Sequence, residues 1–110
     1  MKFASEIKAF CEELRKNPLA WQMVRQLMDA SSSMAANYRA TSRARSRKEW
    51  VAKLGVVVEE SDEAVFWLEF AEQSEMSNAI RIAPLLTEAR ELRAIFAASY
   101  ATSRRNNRDH

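Results

Sequence analysis

The chain of 110 residues has a single glycine and two prolines, whereas average usage is about 7% glycine and 5% proline. Tight turns with a positive φ angle require glycine or asparagine, so this shortage excludes a hairpin-rich β protein. It also excludes the glycine-rich loops that bind phosphate in many nucleotide-dependent enzymes, because Gly55 is the only glycine. The composition therefore favours a helical chain.

Histidine and cysteine are equally scarce. His110 is the only histidine and the last residue, so no histidine-based triad, metal cluster or proton relay is available. Glu60 and Glu63 resemble part of a di-metal carboxylate site, but that site also needs a Glu-x-x-His pair. With Asn37 they are better interpreted as polar groups that satisfy one another or backbone atoms near the bundle centre or an interface. The lone Cys11 lies beside an apolar helix face, where packing is its expected role. We expect no enzyme, no cofactor, no metal and no small-molecule substrate.

Long apolar runs and a strong charge excess are also missing. No run approaches the roughly 18 residues of a membrane span, and acids interrupt the apolar pattern of the N-terminal segment, unlike a signal peptide. Charged residues make up 29% of the chain and apolar residues 47%, which argues against a membrane protein and against a disordered one. The net charge of +2 is mild. With one cysteine, a reducing compartment is expected, so we predict a cytoplasmic protein with no membrane partner.

Apolar residues recur at helical spacing in four segments. The predicted helices cover about residues 2–16, 18–40, 47–72 and 83–102. Four amphipathic helices with short connections predict an all-α, antiparallel up-down-up-down four-helix bundle over residues 1–103. The basic segment 104–110 has no apolar residue and is predicted to be a disordered tail.

The helix starts carry recognisable signals. Asn17 is suited to cap the second helix, with Pro18 in its first turn. Ser46 and Glu49 have the spacing of a capping box for the third helix. Pro84 favours a start of the fourth helix near itself.

The third helix has a second apolar face opposite its core stripe. This face combines aromatic and aliphatic residues with two glutamates, and Trp67 lies on its flank. Its members are Val56, Glu59, Glu63, Phe66, Trp67 and Phe70. A surface helix needs only one apolar stripe, so we interpret this face as a subunit interface. The alternative is that these are scattered exposed apolar residues, which are normal singly.

Charge is segregated along the chain. Six bases fall around the second connection, namely Arg39, Arg43, Arg45, Arg47, Lys48 and Lys53. Seven acids follow between Glu59 and Glu75 with no base among them. In an up-down-up-down bundle this connection lies at the same end as the C-terminus, where Arg104, Arg105 and Arg108 would join it. This end is a candidate phosphate-binding site for nucleic acid. The alternatives are a solvated loop, or pairing with the acidic helix of another subunit.

The residues from Gln26 to Leu68 resemble the bacterial four-helix-bundle proteins encoded in 23S rRNA intervening sequences. The matching segments are QLMDASSSMAANYRATSRARS at 26–46, KEWVAKLGVVVEESDEAVFWLE at 48–69 and, more weakly, LLTEARELRAIF at 85–96. Within them the family pattern is matched by Asn37, Trp50, Lys53, Leu54, Glu60, Glu63, Phe66, Trp67 and Leu68. Glu59 departs from it, since the family has lysine at that place.

This resemblance implies an antiparallel four-helix bundle that assembles into a homo-oligomer, a pentameric ring being known in the family, and it implies no catalytic residues. A related branch, the accessory proteins of diversity-generating retroelements, forms basic pentameric barrels that bind nucleic acid and a reverse transcriptase. The acidic third helix makes the present chain less basic than that role suggests. Our first hypothesis is therefore an oligomeric binding module associated with RNA or ribonucleoprotein. The alternatives are a protein–protein scaffold or a retroelement accessory protein.

Overall fold

The computed structural model describes residues 1–14, 18–74 and 79–108, within which it contains four α-helices, one 3₁₀ turn and no strand. The helices are α1 (Lys2–Leu14), α2 (Trp21–Thr41), α3 (Arg47–Gln73) and α4 (Ala79–Arg108), and the 3₁₀ turn (Pro18–Ala20) precedes α2. They form a rod with principal extents of 50 × 20 × 20 Å. The predicted all-α four-helix fold is confirmed.

Helices that follow one another in sequence also pack against one another. The contacts of α3 with α2 and with α4 are the most extensive, while α1 packs on α2 and more lightly on α4. Within the α3–α4 pair, Gly55 lies near Tyr100 and Glu69 near Arg90, as expected for antiparallel neighbours. This arrangement is compatible with the up-down-up-down order that we predicted.

The core is a continuous column of apolar side chains along the axis of the bundle. Each helix contributes fully buried residues to it, among them Ile7, Leu27, Val57, Leu68 and Ile82. Full burial of one such side chain stabilises a fold by about 1.5–3 kcal/mol, so the four apolar stripes hold the bundle together. No helix within the described ranges is long and apolar enough to cross a membrane.

The start of α3 follows the predicted cap, with one difference. Ser46 has extended backbone angles, φ −151° and ψ 164°, and its hydroxyl accepts a hydrogen bond from the Glu49 N–H at 3.1 Å. In a full capping box, the carboxylate would accept from the Ser46 N–H; here Glu49 Oε2 accepts instead from the Arg45 N–H at 3.4 Å. Glu49 therefore ties the connection to the first turn of α3. The other predicted cap, Asn17, and the predicted last turn of α1 at 15–16 lie outside the described residues.

The fourth helix is longer at both ends than we predicted. It begins at Ala79, so Pro84 lies inside the helix instead of starting it. The physical reason is the apolar stripe: Ile82 is fully buried ahead of the proline, and Leu86 continues the same face after it. A proline removes one helical N–H, and this core packing outweighs the loss.

At its other end, α4 continues to Arg108. The prediction of disorder from residue 104 is therefore wrong up to residue 108, while 109–110 lie outside the described residues. Ser103 is buried against the bundle, and the guanidinium carbon of Arg104 lies 5.6 Å from the centroid of the Tyr100 ring. These contacts hold the last turns on the bundle although the segment has no apolar residue after Ala101.

The only glycine marks a close approach of two helices. Gly55 faces the side chain of Tyr100, and a Cβ atom at this position would lie 3.1 Å from the ring carbon Cε2. Contacts between carbon atoms are optimal at about 3.5–4.0 Å, so any larger residue would displace the ring. The glycine that excluded hairpins from the sequence therefore lets Tyr100 of α4 lie against α3.

Candidate nucleic-acid interface

The six predicted phosphate-binding residues lie in a short stretch around the α2–α3 connection. Arg39 belongs to the last turn of α2, Arg43 and Arg45 to the connection, and the remaining three to the first two turns of α3. Five of them are exposed and Lys53 is partly buried. The folding that brings them together is local: α2 ends at Thr41 and α3 starts at the Ser46 cap.

Little of this positive charge is neutralised within the protein. Lys53 Nζ lies 4.0 Å from Glu49 Oε1, a separation that makes a weak, partly solvated ion pair. Across the described residues 1–14, 18–74 and 79–108, the other five bases form no ion pair. Their charges are thus available to an anionic ligand. Because Glu49 already accepts the Arg45 N–H and pairs with Lys53, it organises this end of the bundle.

The C-terminal turns of α4 reach the same end, as the predicted topology requires. A groove of about 360 Å³ separates the connection from α4. Its lining residues are Thr41, Ala44, Ser46, Arg47, Trp50 and Ser103. Since Ser103 belongs to α4, the exposed Arg104 and Arg105 that follow it extend the basic end. The side chain of Arg108 lies outside the described residues.

Three residues of this end were not predicted as part of a site. Trp50 and Ser103 line the groove, and Tyr100 lies between Gly55 and the guanidinium of Arg104. Trp50 fits the apolar stripe of the third helix and was interpreted as a bundle residue, whereas no role was predicted for Tyr100 or Ser103. Gly55 carried the available signal, because a lone glycine within a helix marks a place where another group comes close.

The outer face of α3 forms a second distinctive surface. Phe66 is 56% exposed, Phe70 40% and Val56 37%, and Glu59 and Glu63 on this face are exposed as well. Trp67 differs from the other aromatics because it is partly buried and packs on the core. Five of the six predicted residues thus lie on the exposed side of α3, and Trp67 lies between that side and the core.

The three aromatic rings of this face contact one another. The ring centroids of Phe66 and Trp67 are 4.9 Å apart, edge to face, and those of Trp67 and Phe70 are 5.8 Å apart. Phe66 and Phe70 are nearly parallel at 6.5 Å. The buried Trp67 Nε1–H has no hydrogen-bond partner within the described residues. We call Phe66, Trp67 and Phe70 the aromatic cluster.

The carboxylates on the flanks of α3 are used within the bundle. Arg93 donates to Asp62 at 2.9 Å, and Arg90 pairs with Glu69 at 3.5 Å, so both ion pairs link α4 to α3. These pairs remove two of the seven acids from the set available to a partner. The exposed Glu59 and Glu63 are the acids nearest to the aromatic cluster in the helix pattern.

Glu60 lies close to a polar group of α2. Asn37 Nδ2 donates to the Ser33 carbonyl at 2.9 Å and to Ser33 Oγ at 3.2 Å, so Asn37 is satisfied within its own helix. Desolvation raises the pKa of Glu60, with a further rise from Glu63, while the nearby Ser33 side chain lowers it. Ser33 thus lies near both Asn37 and Glu60, and Glu63 acts on Glu60 through its charge. No group of metal-ligating side chains occurs among the residues that the structure describes.

Comparison with known proteins identifies the fold. Neither a protein-family model nor a curated protein sequence matches the chain. Among solved structures, the chain is similar to a protein with unknown function from the S23 ribosomal protein family of Bacteroides thetaiotaomicron VPI-5482, with a TM-score of 0.83. The match covers 90% of this chain and 92% of that one, at 22% sequence identity. The chain therefore has the four-helix fold of that S23-family protein.

Proposed function

We propose that this protein is an oligomeric, non-enzymatic binding module that associates with RNA or ribonucleoprotein in the cytoplasm. One observation carries the proposal: five exposed bases that form no ion pair with the residues the structure describes lie at one end of the bundle, beside the basic last turns of α4. The resemblance to proteins of rRNA intervening sequences supports it, as does a structural neighbour whose name includes a ribosomal protein family.

Binding at this end would be electrostatic. Each Lys or Arg that neutralises a phosphate releases condensed counterions, so affinity falls as salt rises. Phosphate contacts fix the position of a protein on nucleic acid but do not read its sequence. We therefore expect Arg39, Arg43, Arg45, Arg47, Lys48 and Lys53 to supply affinity with little sequence preference.

The experiment is an electrophoretic mobility shift with a structured RNA at two salt concentrations. The wild-type protein should slow the migration of the RNA at low salt and should release the RNA at high salt. The double variant Arg43→Glu/Arg45→Glu should abolish retardation, because it reverses two exposed charges at the basic end. Its control is Lys8→Glu/Arg25→Glu, which makes the same change in net charge on exposed residues of α1 and α2. Equal loss in both variants would mean that binding depends only on net charge and would refute a local site.

Self-association is the second part of the proposal, with the outer face of α3 as the interface. The aromatic cluster and Val56 supply the apolar area, and the family resemblance suggests a pentamer. Sedimentation should give a mass several times 12.6 kDa, and Phe66→Asp should lower it without loss of helical content. Ile95→Asp is the matched control, since Ile95 is 61% exposed on α4. A wild-type monomer at tens of micromolar would contradict this interface.

A specific feature favours one alternative, a scaffold that binds other proteins and no nucleic acid. The exposed aromatic rings together with Glu59 and Glu63 offer both apolar and charged contacts to a protein partner. In that case the basic end would pair with acidic surfaces, and a reverse transcriptase partner would be one example. If the wild-type protein retards RNA and Arg43→Glu/Arg45→Glu abolishes this retardation, a scaffold that binds no nucleic acid is ruled out.

A further inference from the structure

The groove at the basic end is lined by an aromatic ring and hydroxyl groups, which binding of a phosphate alone does not require. Its volume of about 360 Å³ falls at the small end of the range for ligand pockets, about 300–1,000 Å³. One planar ring system fits such a space, whereas a double helix does not enter it. An aromatic ring, a guanidinium and hydroxyl groups line it together, which is a composition suited to a heteroaromatic ligand.

Trp50 gives the groove a fixed aromatic wall. The ring is partly buried and packs against the core, and the backbone N–H of Trp50 donates to the Ser46 carbonyl at 3.0 Å. The ring is therefore held at the start of α3 while part of it lines the groove. A ring that is already ordered loses little conformational entropy when a ligand stacks on it.

Ser103 adds an unused polar group. The residue is 6% exposed and lines the groove, and within the described part of the chain its hydroxyl makes no hydrogen bond. The buried Ser31 and Ser61 differ, because each donates to a backbone carbonyl of its own helix at 2.8 Å. The Ser103 hydroxyl is therefore open to the groove, where it can donate a hydrogen bond to a ligand or accept one from it.

We propose that this groove takes one unpaired base of a single-stranded RNA, stacked on Trp50 and hydrogen-bonded to Ser103. The phosphates on either side of that base contact Arg43, Arg45 and Arg47. The inference rests on the proposed function and names its substrate class. A paired base has both faces covered by its neighbours, whereas an unpaired base offers a face for stacking on an aromatic side chain.

The test measures fluorescence anisotropy of a labelled 12-nucleotide uridine RNA and of a 12-base-pair RNA duplex. Trp50→Leu should weaken binding of the single strand about tenfold or more, because it removes base stacking, and leave duplex binding unchanged. Trp50→Phe should retain most of the affinity. The control Trp21→Leu removes an exposed tryptophan elsewhere and should have no effect.

Salt dependence separates the two kinds of contact. Trp50→Leu should lower the affinity for the single strand equally at every salt concentration. Arg43→Gln/Arg45→Gln should also reduce the slope of log affinity against log salt, since each lost phosphate contact reduces that slope. The two variants therefore distinguish stacking from phosphate binding on the same RNA.

Two further measurements keep the test decisive if Trp50→Leu fails to fold. Ala44→Leu narrows the groove from the connection without removing Trp50, and should give the same loss that is specific to the single strand. In a Trp21→Phe/Trp67→Phe protein, Trp50 is the only tryptophan, and its fluorescence should be quenched by the uridine RNA but not by the duplex.

The outcomes bear differently on the two proposals. If the arginine variant loses affinity while Trp50→Leu and Ala44→Leu bind like wild type, or if the duplex quenches Trp50 equally, the base site is refuted and phosphate binding stands. If the wild-type protein binds neither RNA at low salt, both proposals fail. A loss in the groove variants that is limited to the single strand supports the base site.

Discussion

The two ends of α3 differ in charge and in exposed side chains, although one continuous helix carries both. The first two turns carry Arg47, Lys48 and Lys53 and adjoin the groove that Trp50 lines. In the later turns all charged residues are acids, and Phe66 and Phe70 are exposed. Anions suit the first surface, and an apolar partner suits the second. The contrast shows that a helix with one buried stripe can present two chemically different surfaces along its length.

The buried stripe, in contrast, is uniform along α3. Leu54, Val57, Ala64, Leu68 and Ala71 are all almost fully buried, so the core does not distinguish the two ends. Stability and partner choice therefore depend on different faces of the same helix. Substitutions on the inner and the outer face should therefore have separable effects.

The largest expected effect is on stability and comes from adjacent valines on opposite faces. Val57 is fully buried and Val56 is 37% exposed. Val57→Ala should lower the free energy of unfolding by about 2 kcal/mol, because it removes buried methyl groups and leaves a cavity. Val56→Ala should change it by less than about 0.5 kcal/mol.

Urea unfolding of both variants in a Phe66→Asp background gives the measurement, since that background removes the association proposed for the outer face. Equal destabilisation by the two alanines would mean that the bundle buries the outer face of α3, and would contradict the division of the helix into an inner and an outer face.

A second comparison concerns the close approach of α3 and α4. Alanine is more favourable than glycine in a helix by about 1 kcal/mol, but a Cβ atom at position 55 would lie 3.1 Å from the Tyr100 ring. In a Tyr100→Ala background, Gly55→Ala should therefore stabilise the protein by about 1 kcal/mol. With Tyr100 present, the gain in the free energy of unfolding should be smaller. A double-mutant cycle then gives the coupling energy between positions 55 and 100. Identical gains in both backgrounds would show that the ring does not restrict position 55.

The smallest expected effect is the pH dependence at Glu60. Desolvation and Glu63 raise the pKa of this carboxyl in the folded state. A raised acid pKa contributes stability below its unfolded value and loses that contribution as pH rises through the folded value. Glu60→Gln should thus raise the urea midpoint at neutral pH slightly, and the gain should vanish as pH falls below the ordinary range of glutamate.

Glu59→Gln is the control for Glu60→Gln, because it removes the same charge from the exposed side of α3. An equal gain in both variants would show that general charge repulsion along the helix, not burial near Ser33, is responsible. A gain for Glu60→Gln that persists unchanged at acidic pH would contradict the raised pKa.

Periodicity was sufficient to predict the helices but not their ends. Apolar residues at spacings of three and four identified all four segments, and Ser46 marked the start of α3 correctly. The N-terminal extension of α4 was missed because Pro84 resembles a start signal, and only the burial of Ile82 in the bundle shows why the helix begins earlier. The helical turns after Ser103 were missed because no apolar residue marks them: Ser103 is buried, and Arg104 lies over the ring of Tyr100 one turn earlier in α4.

The candidate site was also predictable from the sequence only in part. Its charged residues are close in sequence, so composition along the chain located Arg39 to Lys53 directly. The groove joins Trp50 to Ser103, more than 50 residues later, and such proximity depends on the packing of α3 against α4. A sequence pattern identifies faces of helices, whereas a groove between helices requires their spatial arrangement.

The most direct test of the account is the salt dependence of RNA binding by the basic end. With one phosphate contact from each of the six bases from Arg39 to Lys53, the slope of log affinity against log salt for a single-stranded RNA should be about −4, since each contact contributes about −0.7. Arg43→Gln/Arg45→Gln should bring it to about −3, because four contacts remain. A slope near zero, or a slope that this double variant leaves unchanged, would contradict the assignment of phosphate binding to the α2–α3 connection.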